Sequence, residues 1–124
     1  MSNEQCIRDG HAGDLAIGVL QSRVWPDNAR LMHKAVSAAL CDAGFRVINE
    51  FFLREAFGTR NGRVDIVAIL DGGFAAIELD TRRPRARSVA KLNQCDAFRI
   101  IGLRGVDCPP PKGIDAVVCM QVAA

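Results

Sequence analysis

The stretch from Gly62 to Lys91, GRVDIVAILDGGFAAIELDTRRPRARSVAK, limits the fold more than any other part of the chain. Two apolar runs flank Asp71-Gly72-Gly73, a tripeptide suited to a tight reversal. The pattern predicts a hairpin of strands over 63–70 and 74–80, apolar enough to be covered on both faces. Three carboxylates interrupt it: Asp65, Glu78 and Asp80. Side chains two apart on a strand share a face, so Glu78 and Asp80 are expected to point the same way, with Asp65 joining from the neighbouring strand. Burying carboxylates is costly unless positive charge meets them. A divalent cation with oxygen ligands is one such partner. The following segment adds Arg82, Arg83, Arg85, Arg87 and Lys91. An acidic knot beside a basic helix points to metal-assisted work on a phosphate.

The rest of the chain supplies the frame for this hairpin. A length of 124 residues predicts one domain over 1–124. Residues 14–24 read as a short strand or helix, and His11 as a surface histidine in a mobile-looking Gly10-His11-Ala12-Gly13. Asn28 or Asp27 is suited to cap a helix over 28–43 that buries Met32, Val36, Ala39 and Leu40. His33 lies at the edge of that packed face, either simply packed there or meeting a phosphate or metal. Alternation over 45–53 predicts a strand with Phe45, Val47, Phe51 and Leu53 on one face, and Ile48, Glu50 and Phe52 on the other. A loop over 54–61 then leads into the hairpin. Pro84 suits the first turn of a helix over 84–97. Strands follow over 98–103 and 116–122, the latter at an edge. The expected fold class is therefore α/β, with a mixed central sheet flanked by helices. The strand over 98–103 should be parallel to its neighbour through a crossover.

Composition narrows the function classes. The net charge of +2 is too small to indicate nucleic acid by itself, so the local arginine concentration carries that signal. Five cysteines without a Cys-x-x-Cys pair argue against a disulfide framework or a zinc site and favour reduced thiols in a cytoplasmic protein. No apolar run approaches the roughly 18 residues of a membrane span. Walker-type and dinucleotide-binding glycine loops are absent from the sequence.

The order helix, three strands, helix, strand, with Arg63-Val64-Asp65 on the second strand and Glu78-Leu79-Asp80 on the third, resembles the PD-(D/E)XK, or restriction-endonuclease-like, nuclease superfamily over about Asn28 to Leu103. The resemblance implies an αβββαβ core and Mg²⁺- or Mn²⁺-dependent hydrolysis of a nucleic-acid phosphodiester, with DNA the expected substrate. It implies metal binding by Asp65 and Glu78, with Glu50 as an upstream acid. The family's lysine is replaced by Asp80, which is left as a third metal ligand. Lys91, on the face of the next helix shared by Arg87 and Ser88, is then the substitute catalytic cation. Arg82 and Lys34 are further candidates. Arg82, Arg83, Arg85, Arg87 and Ser88 would contact phosphates. Ion pairs of Asp65 and Glu78 with Arg63 or Arg82, and a solvated arginine-rich helix start, remain open at this point. So do a catalytically silent nucleic-acid- or protein-binding module, a partner paired to the C-terminal strand, and a homo-oligomer.

Overall fold

The computed structural model describes residues 10–58 and 60–123. Its elements are α1 (Gly10–Leu20), α2 (Ala29–Asp42), β1 (Arg46–Phe57), β2 (Arg60–Leu70), β3 (Gly73–Leu79), α3 (Ala86–Leu92), β4 (Phe98–Arg104) and β5 (Ala116–Met120). The strands form one mixed sheet in the order β1-β2-β3-β4-β5. β1, β2 and β3 meander antiparallel, and β4 and β5 add in parallel. The α/β class and the parallel return after the second half of the hairpin are as expected from the sequence. Asp71 and Gly72 make the reversal between β2 and β3 with φ of 50° and 79°.

Each face of the sheet carries its own apolar layer. On one side α1 and α2 bury Ala12, Ala16, Leu20, Met32, Val36 and Leu40 against Ile66, Ala68, Ala75, Ile77 and Ile100. On the other, Leu92 of α3 and Cys95 pack on Val64, Val67, Ala76, Ile101 and Leu103. The small residues of α1 let it approach closely. A Cβ on Gly13 would lie 2.2 Å from the Phe98 ring, so only glycine fits there. The Asn28 side chain accepts from the Leu31 amide at 3.0 Å and fixes the start of α2. Trp25 is buried, its Nε1 donates to the Leu20 carbonyl at 2.8 Å, and its backbone bridges to Val122.

Several sequence expectations change. Residues 10–13 form the first turn of α1 rather than a mobile stretch. The loop expected over 54–61 is mostly strand: β1 runs to Phe57 and β2 starts at Arg60. A register shift between Leu53 and Phe57, with Glu55 at φ 53°, absorbs the irregularity that reads as a loop in sequence. The helix expected over 84–97 is shorter, spanning Ala86–Leu92 as α3.

The face assignment of β1 is also corrected. Phe45 and Val47 pack with the α1/α2 layer, but Phe51 and Leu53 pack with the α3 layer, together with Ile48. On β2, Val64 belongs to the α3 layer and Ile66, two residues on, to the opposite one. Both strands therefore change face at the same level, between 48 and 51 on β1 and between 64 and 66 on β2. The residues at that level are Glu50 and Asp65.

Among the described residues, no helix is long and apolar enough to cross a membrane. Cys41, Cys95, Cys108 and Cys119 are free thiols, and burial pushes Cys95 up to about 11, so it stays protonated. Cys6 lies outside the described residues.

Candidate metal centre

The site begins with a row of acids across three adjacent strands. Asn49 pairs with Ile66 and Phe51 with Val64, so the position between them sets Glu50 opposite Asp65. Ile66 pairs with Ile77, and one step further sets Asp65 opposite Glu78. Backbone pairing is missing at this level on both sides of β2. Like charges placed directly opposite on a sheet repel, which disfavours a regular ladder there. Glu50 takes a left-handed φ of 54°, unusual for a residue with a side chain.

Between β2 and β3, side chains replace the missing backbone bonds. The Asp65 amide donates to Glu78 Oε2 at 2.7 Å, and the Leu79 amide donates to Asp65 Oδ2 at 2.8 Å. Each carboxylate thus satisfies an amide of the strand facing it. The strands open here, while β3 stays bonded to β4 through Leu79 and the Asp80 amide, which donates to the Gly102 carbonyl.

Glu78 is fully buried and its Oε1 lies 2.5 Å from Lys91 Nζ. The Lys91 ammonium also donates to the Arg63 carbonyl at 2.8 Å. The lysine from α3 therefore reaches the acidic row, as the sequence suggested it would have to. Burial, then the nearby Asp65 charge, push Glu78 up to about 7, against the opposing pull of Lys91.

Asp80 does something other than bind metal. It is buried, its Oδ2 accepts from the Arg85 amide at 2.8 Å, and its Oδ1 accepts from Ser88 Oγ at 2.7 Å and Arg85 Nε at 3.1 Å. These bonds tie the end of β3 to the start of α3 and leave neither oxygen for an ion. The expectation that Asp80 is a metal ligand is corrected on that ground. The expectation that Ser88 contacts phosphate is corrected too, because its hydroxyl is sealed against Asp80. Arg87 stands 4.9 Å over the Phe57 ring. Arg82 and Arg83 are exposed.

On the other side of the opening lies a cleft of about 770 Å³ between α2 and the row. Arg30, His33, Lys34 and Ser37 of α2 line it, with Asn49, Glu50, Asp65, Leu79 and Arg85 opposite. His33, Glu50 and Asp65 each offer a ligand atom, all within 4.8 Å of one another. His33 Nδ1 lies 3.9 Å from Glu50 Oε1, and its Nε2 meets Asn49 Oδ1 at 3.0 Å. Asp65 lies here with Glu50, whereas Glu78, expected beside it as a ligand, is engaged by Lys91, and His33 completes the group. Arg30 joins the cleft beside the residues expected from the sequence. The signal for it was in the sequence: Arg30, His33, Lys34 and Ser37 recur at helical spacing opposite the buried Met32 and Val36.

The donor set fits a divalent cation. Two carboxylates and an imidazole nitrogen converge, and Glu50, about half exposed, leaves an entry path. Three cationic side chains, those of Arg30, Lys34 and Arg85, line the same cleft. Compared with family models, curated proteins and solved structures, the chain gives no match.

Proposed function

We propose that the chain is a divalent-metal-dependent nuclease with a restriction-endonuclease-like core, hydrolysing a nucleic-acid phosphodiester in the α2 cleft. The observation that carries the reading is the row Glu50–Asp65–Glu78 at the level where the sheet opens, with Lys91 drawn onto it. Glu50 and Asp65 would hold the ion. The ion would supply a polarised phosphate and a bound water of lowered pKa. Arg30, Lys34 and Arg85 hold phosphate oxygens by charge-assisted hydrogen bonds. Glu78 orients Asp65 by accepting its amide, and Lys91 keeps Glu78 in place. Lys91 donates to the Arg63 carbonyl, and its ammonium, paired with Glu78 behind Asp65, supplies the positive charge that steadies the acidic row.

The engagement of Lys91 also favours a second reading, in which the fold binds nucleic acid without cutting it. One experiment separates the two. Supercoiled plasmid, single-stranded DNA and RNA are incubated with the protein, with and without Mg²⁺ or Mn²⁺. Metal-dependent cleavage that disappears in Asp65→Ala is expected. Lys91→Met combined with Glu78→Gln keeps the buried pair neutral and should lower the rate by about 10²–10³, the usual cost of losing one charge-stabilising donor. Metal-bound protein that retains nucleic acid and cuts none of the three substrates replaces the first reading with the second.

A further inference from the structure

We infer that the centre selects a first-row transition ion, Mn²⁺ before Mg²⁺, because His33 supplies a nitrogen ligand. The inference rests on the metal-dependent reading above and adds the class of ion and the residue that chooses it.

The argument starts from the second nitrogen of the imidazole. Asn49 Oδ1 lies 3.0 Å from His33 Nε2 and can only accept, so that nitrogen carries the proton in the neutral ring. Nδ1 then holds a lone pair, and it is the nitrogen turned toward Glu50 at 3.9 Å. This distance is too long for a hydrogen bond. The ring is oriented by a partner behind it, the arrangement that fixes the tautomer of metal-binding histidines. Asn49 and Glu50 are neighbours on β1, so one strand supplies both the group that orients the ring and a ligand beside it.

The three ligand atoms are all acceptors. Brought within 4.8 Å of one another, they repel unless a cation stands between them. Ligands about 2.1 Å from a single ion lie roughly 3 to 4 Å apart, so small rotations close the set. Glu50, with half its side chain exposed, is free to make them, while His33 is anchored on a capped helix.

An imidazole in the set changes the preferred ion. Mg²⁺ favours oxygen ligands and gives up its waters reluctantly. Nitrogen donors favour the later first-row ions, with affinity rising from Mn²⁺ through Co²⁺. Cys41 and Cys119 are exposed thiols that would compete for Zn²⁺, so Mn²⁺ and Co²⁺ are the better probes.

The test is calorimetric titration of the full chain with Mg²⁺, Mn²⁺ and Co²⁺, without nucleic acid. The parent should bind Mn²⁺ at least about tenfold more tightly than Mg²⁺ and Co²⁺ more tightly still, a difference of about 1.4 kcal/mol or more. His33→Ala should erase the preference and leave Mg²⁺ affinity near that of the parent. His33→Glu, an all-oxygen set, should reverse it. Circular dichroism of both variants checks folding; His33 faces the cleft, so neither opens the core. Equal Mg²⁺ and Mn²⁺ affinities in the parent, both lost in Asp65→Ala, overturn the inference and leave the metal-dependent reading standing. A Mn²⁺ preference that survives His33→Ala also overturns it. Failure to bind any of the three ions overturns both.

Discussion

The acids on the two sides of the sheet opening are the same kinds of residue in opposite situations. Toward α3, each carboxylate oxygen of Glu78 and Asp80 has a partner: Lys91 and the Asp65 amide for the first, Arg85 and Ser88 for the second. Both residues are buried. Toward α2, Glu50 and Asp65 are partly exposed, and the His33 ring stands 3.9 Å from Glu50, beyond hydrogen-bond reach. A buried carboxylate left unanswered would cost several kcal/mol, so the first pair must be satisfied by the protein itself. Acids at the wall of a cleft are under no such demand and keep capacity for a ligand. The difference separates acids whose oxygens the fold itself engages from acids it leaves at the cleft. The acids most like core residues hold the strands and α3 in place, and those that look least finished face the cleft.

The largest expected effect tests the architectural side. Lys91→Ala leaves Glu78 buried without its cation, which should cost about 3–5 kcal/mol in urea denaturation at pH 8. Glu50→Ala in the same assay, without metal, should change stability by no more than about 0.5 kcal/mol, as for a surface substitution. Equal costs for the two variants would remove the distinction between the two groups.

A pH series sharpens it. The folded protein holds the Glu78 proton up to about 7, against an ordinary value of 4.5, because burial and Asp65 disfavour the charge. The folded state therefore binds more protons than the unfolded state between those values. Stability from this group is complete below pH 4.5 and is lost as pH rises through 7. Relative to Glu78→Gln, the parent should lose up to a few kcal/mol across that window and no more above it. Added Mn²⁺ offsets the Asp65 charge, one of the causes of the shift, and should shrink the loss. A parent and variant with parallel pH curves would show that Glu78 is not held this way.

The sequence carried the frame further than the site. Asp71-Gly72 announces the reversal because few other residues accept positive φ there, and Asn28 announces α2 because its side chain can satisfy a free amide. Asp65, Glu78 and Lys91 were legible as a group because buried charge in an apolar run needs an explanation. Asp80 misled because alternation places it beside Glu78 but says nothing of the helix start folding back onto it. The fourth residue after Pro84 is Ser88, and its bond to Asp80 is a tertiary fact that spacing does not encode. The simultaneous change of face at Glu50 and Asp65 was invisible for a similar reason. Period-two reading assumes an unbroken ladder, and here the row of acids itself breaks it. His33 reads in the sequence either as the edge of a packed face or as a phosphate or metal contact, because the choice depends on which strand lies opposite.

The smallest effect in stability bears most directly on the cleft side. Glu50 keeps a side chain at φ 54°, where glycine is the comfortable residue. Strained backbone of this kind persists only where the surrounding structure holds it in place. Glu50→Gly relieves the strain and removes a charge opposite Asp65, but it adds freedom to the unfolded chain. The net expectation is a gain of at most about 1 kcal/mol in metal-free denaturation. The same substitution should weaken Mn²⁺ binding by calorimetry, since a ligand is gone. Glu50→Ala separates the two causes: it removes the ligand and the charge but keeps a Cβ at the strained position, so it should lose Mn²⁺ affinity without the gain from strain. A Glu50→Gly variant that is less stable and binds Mn²⁺ as well as the parent would mean that the left-handed turn serves the sheet and not the ion, and Glu50 would move to the architectural side of the comparison.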